Sequence, residues 1–250
     1  MMSAADLPER PALKRPGRLS RALMRLLMKR ATIAANEPLG DRYRLITFEG
    51  PDLKGVEWRP GQKIQIAMGS AFVARTYTPV EWNTAAGTFR ILGYAHGDGP
   101  GSAWIRDVQP GEDCDLFGPR RSLDGPPLTG ALAIFGDETS IGLTYAWRHQ
   151  DRSRPISGQF EVDDQEAAGR VLRRLDLDAV SSLFERRPGD GHVADLEDCL
   201  ALFVGTEARF VLTGKAGTIQ RLRLSLTQYA VPATHIVTKA YWAPGKIGLD

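Results

Sequence analysis

The stretch Ala131-Leu132-Ala133-Ile134-Phe135-Gly136-Asp137-Glu138-Thr139 marks the place where the structural pattern of this 250-residue chain changes. Its first five residues are apolar and predict a buried strand, and the residues that follow, up to about His149, predict a helix. Strands that alternate with helices after this point predict an α/β domain with an open parallel sheet over residues 128–250. The further strands are expected at Ile156–Val162, Ala208–Leu212 and His235–Tyr241, and the helices at Gln165–Leu175 and Thr218–Tyr229.

The sequence before this stretch has the pattern of short strands with almost no helix. Runs rich in β-branched and aromatic residues are separated by turns that contain Pro or Gly. Such a series predicts a small antiparallel β-barrel over residues 31–125. The expected linker to the second domain is Asp124-Gly125-Pro126-Pro127. The five strand-like runs are Ala31–Ala35, Tyr43–Phe48, Lys63–Met68, Val73–Tyr77 and Phe89–Tyr94.

Residues 1–30 are predicted to form a basic N-terminal extension. They contain eight Lys or Arg and two acidic residues, a net charge of +6, which leaves −4 for the rest of a chain whose formal net charge is +2. Arg18, Arg21, Arg25 and Lys29 recur at helical spacing opposite several leucines, which predicts a short amphipathic helix. This helix could contact a membrane surface or an anionic partner, but we favour packing of its leucines on the body of the protein.

Composition excludes several classes of function. Only Cys114 and Cys199 are available and the four histidines are scattered, so no metal site, iron–sulfur cluster or disulfide framework is expected. We expect no integral membrane segment, no signal peptide and no nucleic-acid partner, because long apolar runs and a basic stripe in the body are missing. A cytoplasmic protein follows, and any redox chemistry has to come from an organic cofactor.

The segment Arg75-Thr76-Tyr77-Thr78-Pro79 is the first candidate site in the predicted barrel. Pro79 disfavours a helical conformation for the residue before it and so keeps the segment extended. Because side chains alternate across an extended strand, Arg75, Tyr77 and Pro79 face away from Thr76 and Thr78. By itself, a motif this short favours an ordinary strand.

The second candidate site follows about twenty residues later, in His96-Gly97-Asp98-Gly99-Pro100-Gly101-Ser102-Ala103-Trp104. Glycines before a predicted helix let backbone N–H groups approach an anion, and Ser102 is the expected helix cap. Together these features predict a cradle for a diphosphate. The alternative is a glycine-rich loop that serves only to begin a structural helix.

These motifs resemble signatures of one superfamily. Arg75-Thr76-Tyr77-Thr78 resembles the R-x-Y-[ST] flavin signature of the ferredoxin–NADP reductase superfamily. Residues 94–119, which include Pro110-Gly111-Glu112-Asp113 and Gly118-Pro119, resemble the H-G-x-G-P-x-S-x-W…P-G-D…G-P pattern of the siderophore-interacting protein family. The members of this branch of the superfamily are FAD-dependent ferric-siderophore reductases.

The resemblance implies a role for each matching residue of the barrel. Arg75 would pair with the FAD diphosphate, Tyr77 would cover the isoalloxazine ring, and Thr78 would hydrogen-bond near the reactive flavin nitrogen. Tyr77 and Thr78 are therefore the predicted catalytic residues. The other cofactor-binding residues predicted in this domain are Thr76, His96, Gly99, Pro100, Gly101, Ser102 and Trp104.

Two further matches lie in the predicted α/β domain. Gly136-Asp137-Glu138-Thr139 resembles the family segment beside the reducing nicotinamide cofactor, with Thr139 as the expected helix N-cap. The alternative for Asp137 and Glu138 is a solvated first turn of the helix. Tyr241-Trp242 resembles the aromatic pair of the family's closing segment, which comes near the flavin.

Nucleotide binding rests on the resemblance, because the chain contains no G-x-G-x-x-G motif. One departure from the family concerns the same site. Gly214-Lys215 stands where the family usually has Gly-Glu before a long helix. The reversed charge could alter nucleotide preference or abolish a contact.

The resemblance implies a FAD-dependent ferric-siderophore reductase that passes electrons from NAD(P)H through FAD to siderophore-bound Fe(III) and releases Fe(II). Alternatives are another reductase of the superfamily, such as a flavin reductase or a ferredoxin-coupled enzyme, and a flavin- or siderophore-binding protein without turnover. Ferric siderophores are often anionic, so basic residues are expected to bind this substrate. The candidates are Arg120, Arg121, Lys239 and Lys246.

Overall fold

The computed structural model describes residues 28–68, 70–97, 99–123 and 130–246. Most of the predicted N-terminal helix and the whole predicted linker lie outside these residues. In the described residues, the first domain contains seven strands and one α-helix. These elements are β1 (Lys29–Pro38), β2 (Tyr43–Glu49), β3 (Lys63–Met68), β4 (Ser70–Tyr77), β5 (Pro79–Asn83), β6 (Thr88–Tyr94), α1 (Pro100–Asp107) and β7 (Asp113–Arg120).

The seven strands form one antiparallel sheet in the order β4-β3-β7-β1-β2-β6-β5. Its two edge strands, β4 and β5, are consecutive in the chain, and only Thr78 separates them. Because both edges of the sheet meet at this residue, the sheet rolls up into the predicted barrel with Thr78 at its seam. The segment that carries the flavin signature therefore closes the barrel.

The barrel encloses a single apolar core. In β3, Ile64, Ile66 and Met68 are buried and alternate with partly exposed residues, as the period of two in a strand requires. Phe48 and Phe89 stack at the centre with ring centroids 4.4 Å apart. Burial of these large side chains is the main term that stabilises the barrel.

The second domain is the predicted α/β domain. All neighbouring strands of its five-stranded sheet run parallel, in the order β10-β9-β8-β11-β12, which confirms the predicted open parallel sheet. Its strands are β8 (Leu132–Asp137), β9 (Ile156–Val162), β10 (Ser181–Glu185), β11 (Arg209–Lys215) and β12 (Ile236–Trp242). Its helices are α2 (Ile141–Gln150), α3 (Gln165–Arg174), α4 (Val193–Ala201) and α5 (Ala216–Gln228).

The order of these strands locates a binding edge. The chain moves outward from β8 through β9 to β10, and then returns to β11 on the other side of β8. Ligands of open α/β sheets bind outside the carboxyl ends of the strands where the order reverses, which here are the neighbouring strands β8 and β11. The last residues of β8 are Gly136 and Asp137 and those of β11 are Gly214 and Lys215, so the two strand ends lie side by side at this edge.

Three strands were not predicted from the sequence. β5 begins with Pro79, which suits the edge position that it occupies in the barrel. β7 was interpreted only as part of a family pattern, and β10 is a five-residue edge strand without regular alternation of burial. In the described residues no helix is long and apolar enough to cross a membrane.

Candidate functional site

The end of β4 and the beginning of α1 lie side by side in the barrel domain. The side chain of Arg75 packs over the first turn of α1, so that a Cβ at Gly101 would lie 3.1 Å from Arg75 Cγ. Nothing lies within 4 Å of the Cβ positions of Gly97 and Gly99, so the chain leading into the helix is open. A guanidinium beside an open helix N-terminus suits a diphosphate, and these residues therefore fit FAD.

The first turn of α1 differs in one detail from the prediction. Gly99 is the N-cap residue, and Pro100 occupies the first helical position, where its lack of an N–H costs nothing. Ser102 is buried as the third residue of the helix, inside its first turn. The prediction that Ser102 caps this helix is wrong, because the helix begins two residues earlier.

Tyr77 and Trp104 are packed together. Their ring centroids are 6.2 Å apart, and Trp104 is in turn 6.3 Å from Phe48 in the barrel core. Burial raises the pKa of Tyr77, against the opposite effect of the nearby Arg75, so the phenol stays neutral. Trp104 thus holds α1 on the barrel, whereas its direct contact with a cofactor stays a prediction.

Asp137 is fully buried at the end of β8. Its carboxylate accepts hydrogen bonds from the backbone N–H of Thr139 at 2.9 Å and from the indole Nε1–H of Trp242 at 2.6 Å, and it also contacts the Thr139 hydroxyl. Burial raises the pKa of Asp137, while the hydrogen bonds from Thr139 and Trp242 act in the opposite direction. Asp137 thereby connects the first and last strands of the α/β domain.

Two expectations for this segment are wrong. The N-cap of the short turn after β8 is Asp137 and not Thr139, because the strand continues to Asp137 and its side chain reaches the N–H two residues further on. A solvated first turn is excluded as well, since Asp137 is 0% and Glu138 3% exposed. Both carboxyl groups belong to a buried polar layer.

Gly214 explains how Asp137 fits against β11. Its φ is +94°, and a Cβ there would lie 2.4 Å from Asp137 Oδ2. The next residue, Lys215, is largely buried and donates from Nζ to both carboxylate oxygens of Asp190, at 2.7 and 2.8 Å. The hydrogen bond from Lys215 lowers the pKa of Asp190. The lysine that departs from the family pattern is therefore held in an ion pair.

Arg186, just beyond β10, is the central cation of this layer. Its guanidinium donates to both oxygens of Glu138 at 2.8 Å and to Asp163 at 2.6 Å. Burial raises the pKa of Glu138, and the hydrogen bonds and charge of Arg186 oppose that rise. We did not predict Arg186 from the sequence because β10 was not recognised, although basic and acidic residues at carboxyl ends of parallel strands are the relevant signal.

A second buried chain of hydrogen bonds lies beside Arg186. His192 Nδ1 accepts the backbone N–H of Arg187 at 3.2 Å, so its Nε2–H faces Glu161 Oε2 at 2.6 Å. The hydroxyl of Thr218 donates to the other oxygen of Glu161 at 2.8 Å. Both oxygens of Glu161 are thus satisfied, and this explains how a carboxylate that is 1% exposed is accommodated.

The two domains meet at the predicted site residues. Thr78, at the barrel seam, lies near Tyr241, whose buried hydroxyl has no hydrogen-bond partner among the described residues. Burial is the main cause that raises the pKa of Tyr241. The exposed ring of His96 stacks on Trp242 with centroids 6.1 Å apart, and the guanidinium carbon of Arg186 lies 5.9 Å from the centroid of the same tryptophan ring. The flavin signature and the closing aromatic pair are therefore brought together, whereas Thr76 is exposed beside them.

Asp163 adds a second connection between the domains. Besides Arg186 it contacts two residues of the barrel, Arg42 at 3.2 Å and the hydroxyl of Tyr94 at 3.1 Å. Partial burial tends to raise the pKa of Asp163, but hydrogen bonds from Arg186 and Tyr94, together with the charges of Arg186 and Arg42, lower it overall. The network of Arg186 thus extends across the domain junction.

The predicted substrate-binding residues are on two segments. Lys239 lies between Val237 and Tyr241 in β12, and both of these pack against the cluster that contains Leu123. Because side chains alternate along a strand, Lys239 lies on the same face of β12 as Val237 and Tyr241. This face is directed toward the segment of Leu123, which closely follows the candidates Arg120 and Arg121 in the chain. Of those two, Arg120 lies 4.7 Å over the Phe117 ring and Arg121 is exposed, and Lys246 is also exposed.

Comparisons with known proteins agree with this geometry. Residues 13–123 match the family model of the siderophore-interacting FAD-binding domain. A siderophore utilization protein from T. fusca is 17% identical with a TM-score of 0.71, covering 89% of this chain and 95% of that chain. The siderophore-interacting protein of Aeromonas hydrophila is 22% identical with a TM-score of 0.68, covering 88% and 93%.

A third similar structure is phthalate dioxygenase reductase, described as modular for electron transfer from pyridine nucleotides to [2Fe-2S]. It is 13% identical with a TM-score of 0.73, and the match covers 89% of this chain and 71% of that chain. The comparison with curated proteins gave no match. At these identities the solved structures establish the two-domain fold.

Gly214→Ala is expected to destabilise the protein, because the positive φ and the Asp137 carboxylate both exclude a Cβ. Gly217→Ala, three residues later, is the matched control, since nothing lies within 4 Å of its Cβ position. We expect a loss of about 2–4 kcal/mol in the free energy of unfolding for Gly214→Ala and no loss for Gly217→Ala. Urea denaturation measures both, and equal effects would contradict the role of Asp137.

Asp163→Asn is expected to change the acid sensitivity of the fold. A carboxyl group with a lowered pKa stabilises the folded state above its unfolded pKa of about 3.9, and this stabilisation is lost as the pH falls through the folded pKa. The difference in unfolding free energy between the parent and the variant should therefore stay constant above about pH 5 and shrink below about pH 4. Denaturant titrations across this range test it.

The control for this experiment is Asp178→Asn, an exposed aspartate outside the network. It should follow the parent protein at every pH. A difference between the parent and Asp163→Asn that does not vary with pH would contradict the assignment of the ion pairs to Asp163.

Proposed function

We propose, from the match of residues 13–123 to the family model of the siderophore-interacting FAD-binding domain, that the protein is a FAD-dependent reductase of siderophore-bound Fe(III). NAD(P)H is the proposed electron donor, and the cytoplasm is the proposed location because this reductant is available there. Bound FAD supplies the conversion between two-electron and one-electron chemistry. The protein supplies position, charge and exclusion of water.

The observation that supports the flavin site is the packing of Arg75 over the open start of α1, beside the stacking of His96 of the barrel on Trp242 of β12. Arg75 and the backbone N–H groups around Gly99 would hold the diphosphate. The neutral ring of Tyr77 would cover one side of the isoalloxazine. The Thr78 hydroxyl would donate or accept a hydrogen bond at its edge, where proton transfer accompanies reduction.

The proposed substrate is a ferric siderophore that docks on the basic face around Lys239. Transfer of one electron to Fe(III) gives Fe(II), which hard anionic oxygen ligands bind less tightly, so that the iron can be passed on. Arg120, Arg121 and Lys246 would add positive charge for an anionic siderophore. The structural similarity to a siderophore utilization protein and a siderophore-interacting protein is consistent with this substrate class.

The proposed nucleotide site is the carboxyl edge of the sheet between β8 and β11. Asp137 and Glu138 lie on one side of this site, and the backbone of Gly214 lies on the other.

A protein donor of the ferredoxin class is a second candidate, and a specific observation favours it. Asp137 already accepts the N–H of Thr139 at the start of the turn, so the anion position that a phosphate would take is filled by a carboxylate.

Anaerobic reduction of the purified, flavin-loaded protein distinguishes these donors. Bleaching of the flavin bands by NADH or NADPH supports a nucleotide donor, whereas bleaching only by a reduced ferredoxin identifies a protein donor. Mixing the reduced protein with ferric siderophores in a stopped-flow instrument then tests the acceptor. Reoxidation no faster than with free flavin would reject the proposed function.

Lys239→Glu provides the matched variant for the acceptor step. We expect reoxidation by an anionic ferric siderophore to slow roughly three- to tenfold at low ionic strength, with the flavin content unchanged. Arg173→Glu, an equivalent charge reversal on the exposed side of α3, should leave the rate unchanged. An unaffected Lys239→Glu variant would remove Lys239 from the substrate site.

Arg75→Leu is expected to weaken FAD binding about 10- to 100-fold, because charge-assisted hydrogen bonds to the diphosphate are lost. Arg59→Leu removes an exposed arginine elsewhere in the same domain and should retain full flavin content. The ratio of flavin to protein after purification and a fluorescence titration with FAD measure the effect. Equal flavin content in the two variants would contradict the proposed diphosphate site.

A further inference from the structure

The loop that follows β10 is bound to the carboxyl edge of the parallel sheet. It runs from Arg186 to His192, and we call it the edge loop. Arg186, at its start, donates to Glu138 just after β8, and His192, at its end, faces Glu161 near the end of β9 at 2.6 Å. The edge loop therefore lies where the strand order places a ligand.

A third contact binds the middle of the edge loop to β11. Lys215, the last residue of β11, donates from Nζ to both carboxylate oxygens of Asp190, at 2.7 and 2.8 Å. In the sheet β9 and β8 separate β10 from β11, so at about 4.8 Å per strand the ends of β10 and β11 are about 14 Å apart. The edge loop and the Lys215 side chain together span this distance, outside the ends of β9 and β8.

The ion pair has the burial needed to hold the loop in place. The side chain of Lys215 is 12% exposed, so its ammonium has lost most of its hydration and depends on the carboxylate of Asp190. Asp190 itself has a φ of +57°, directly after Gly189 at +67°. A residue other than glycine keeps this conformation when its surroundings hold it there. Removal of the pair should therefore release the middle of the loop, while the contacts of Arg186 and His192 remain.

We propose that the ion pair between Lys215 and Asp190 holds the edge loop closed over the nucleotide site, and that Lys215 thereby restricts which electron donor can use this edge. The inference rests on the nucleotide site proposed between β8 and β11. In the closed loop, the charge of Lys215 is neutralised by Asp190 and the strand ends are covered. In an open loop, the ammonium and the strand ends become accessible to the phosphates of NADH or NADPH.

Hydrogen exchange of the purified protein tests whether the pair holds the loop. Asp190→Asn and Lys215→Met preserve the size of the side chains and remove the ion pair. The N–H groups of Arg187 and Asp190 are hydrogen-bonded within the loop, to His192 Nδ1 at 3.2 Å and to the carbonyl of Arg187 at 3.1 Å. Their exchange should become about three- to tenfold faster in both variants.

Asp198→Asn is the matched control for the exchange experiment, because it makes the same change at an exposed position of α4. It should exchange like the parent protein, and the flavin content reports that all three variants are folded. Unchanged exchange of the edge loop in both Asp190→Asn and Lys215→Met would overturn the proposal.

Calorimetric titration of the flavin-loaded protein with NAD⁺ and NADP⁺ tests whether the loop restricts access. A site that is open about three- to tenfold more often binds its ligand more tightly by the same factor, and we expect at least this gain for one nucleotide with Asp190→Asn. Lys215→Met should gain less, because it also removes the cation. A pair with only a structural role would give no gain, and unchanged affinity of Asp190→Asn for both nucleotides would overturn the proposal.

Failure of this inference can be distinguished from failure of the proposed function. Reoxidation of the parent's reduced flavin by ferric siderophores tests the proposed function and does not involve the edge loop. If that reoxidation is no faster than with free flavin, the exchange rates and nucleotide affinities still decide the role of Lys215. If neither nucleotide binds to any variant, the role of Lys215 is rejected, whereas a reductase with a ferredoxin-class donor is not.

Discussion

The bidentate ion pair between Arg186 and Glu138 is the interaction on which the rest of the α/β domain depends. Four carboxyl groups converge at the carboxyl edge of the parallel sheet, and two of them, Glu138 and Asp163, share this guanidinium. A buried carboxylate without a cation is strongly unfavourable, so loss of Arg186 would cost several kcal/mol. The same guanidinium contacts Asp163, which in turn contacts Arg42 and Tyr94 of the barrel. Arg186 therefore helps to hold the two domains together.

The candidate site is assembled from segments that each have a structural task of their own. Thr78 closes the barrel, and Asp137 caps the turn after β8 while it holds Trp242. Because these residues are fixed by the fold, the aromatic pair at the end of β12 is held against the barrel seam. Preorganisation of this kind lowers the cost of placing a flavin between the domains.

Charge is divided between two faces of the junction. The carboxyl edge of the sheet carries the buried carboxyl groups of Asp137, Glu138 and Glu161, whereas Lys239 lies on the same face of β12 as Tyr241. This division is consistent with the proposed docking of an anionic electron acceptor beside Lys239 and of the electron donor at the carboxyl edge of the sheet. The Asp137 carboxylate already accepts the N–H of Thr139 at the start of the turn, where a phosphate of a nucleotide would bind. The identity of the electron donor is therefore the most informative property to measure.

Local patterns in the sequence determined much of the architecture. The apolar run before Gly136 and the alternation in β3 depend only on near neighbours, and they predict a parallel α/β domain after a barrel. The signature Arg75 to Thr78 and the aromatic pair Tyr241-Trp242 could likewise be recognised as segments. The helix caps predicted at Ser102 and Thr139 were wrong because the exact end of a helix or strand depends on a few local contacts that the sequence pattern does not specify.

Only the tertiary structure decided which residues act together. Arg186 is 48 positions from Glu138, and Trp242 is 105 positions from Asp137, so no local periodicity relates them. Their contact follows from the strand order β10-β9-β8-β11-β12, which brings carboxyl ends from distant parts of the chain to one edge. The sequence by itself determined the barrel, the parallel sheet and the flavin signature. The ion-pair network and the seam at Thr78 exist because folding brings distant segments together, and short-range propensity carries no information about such pairings.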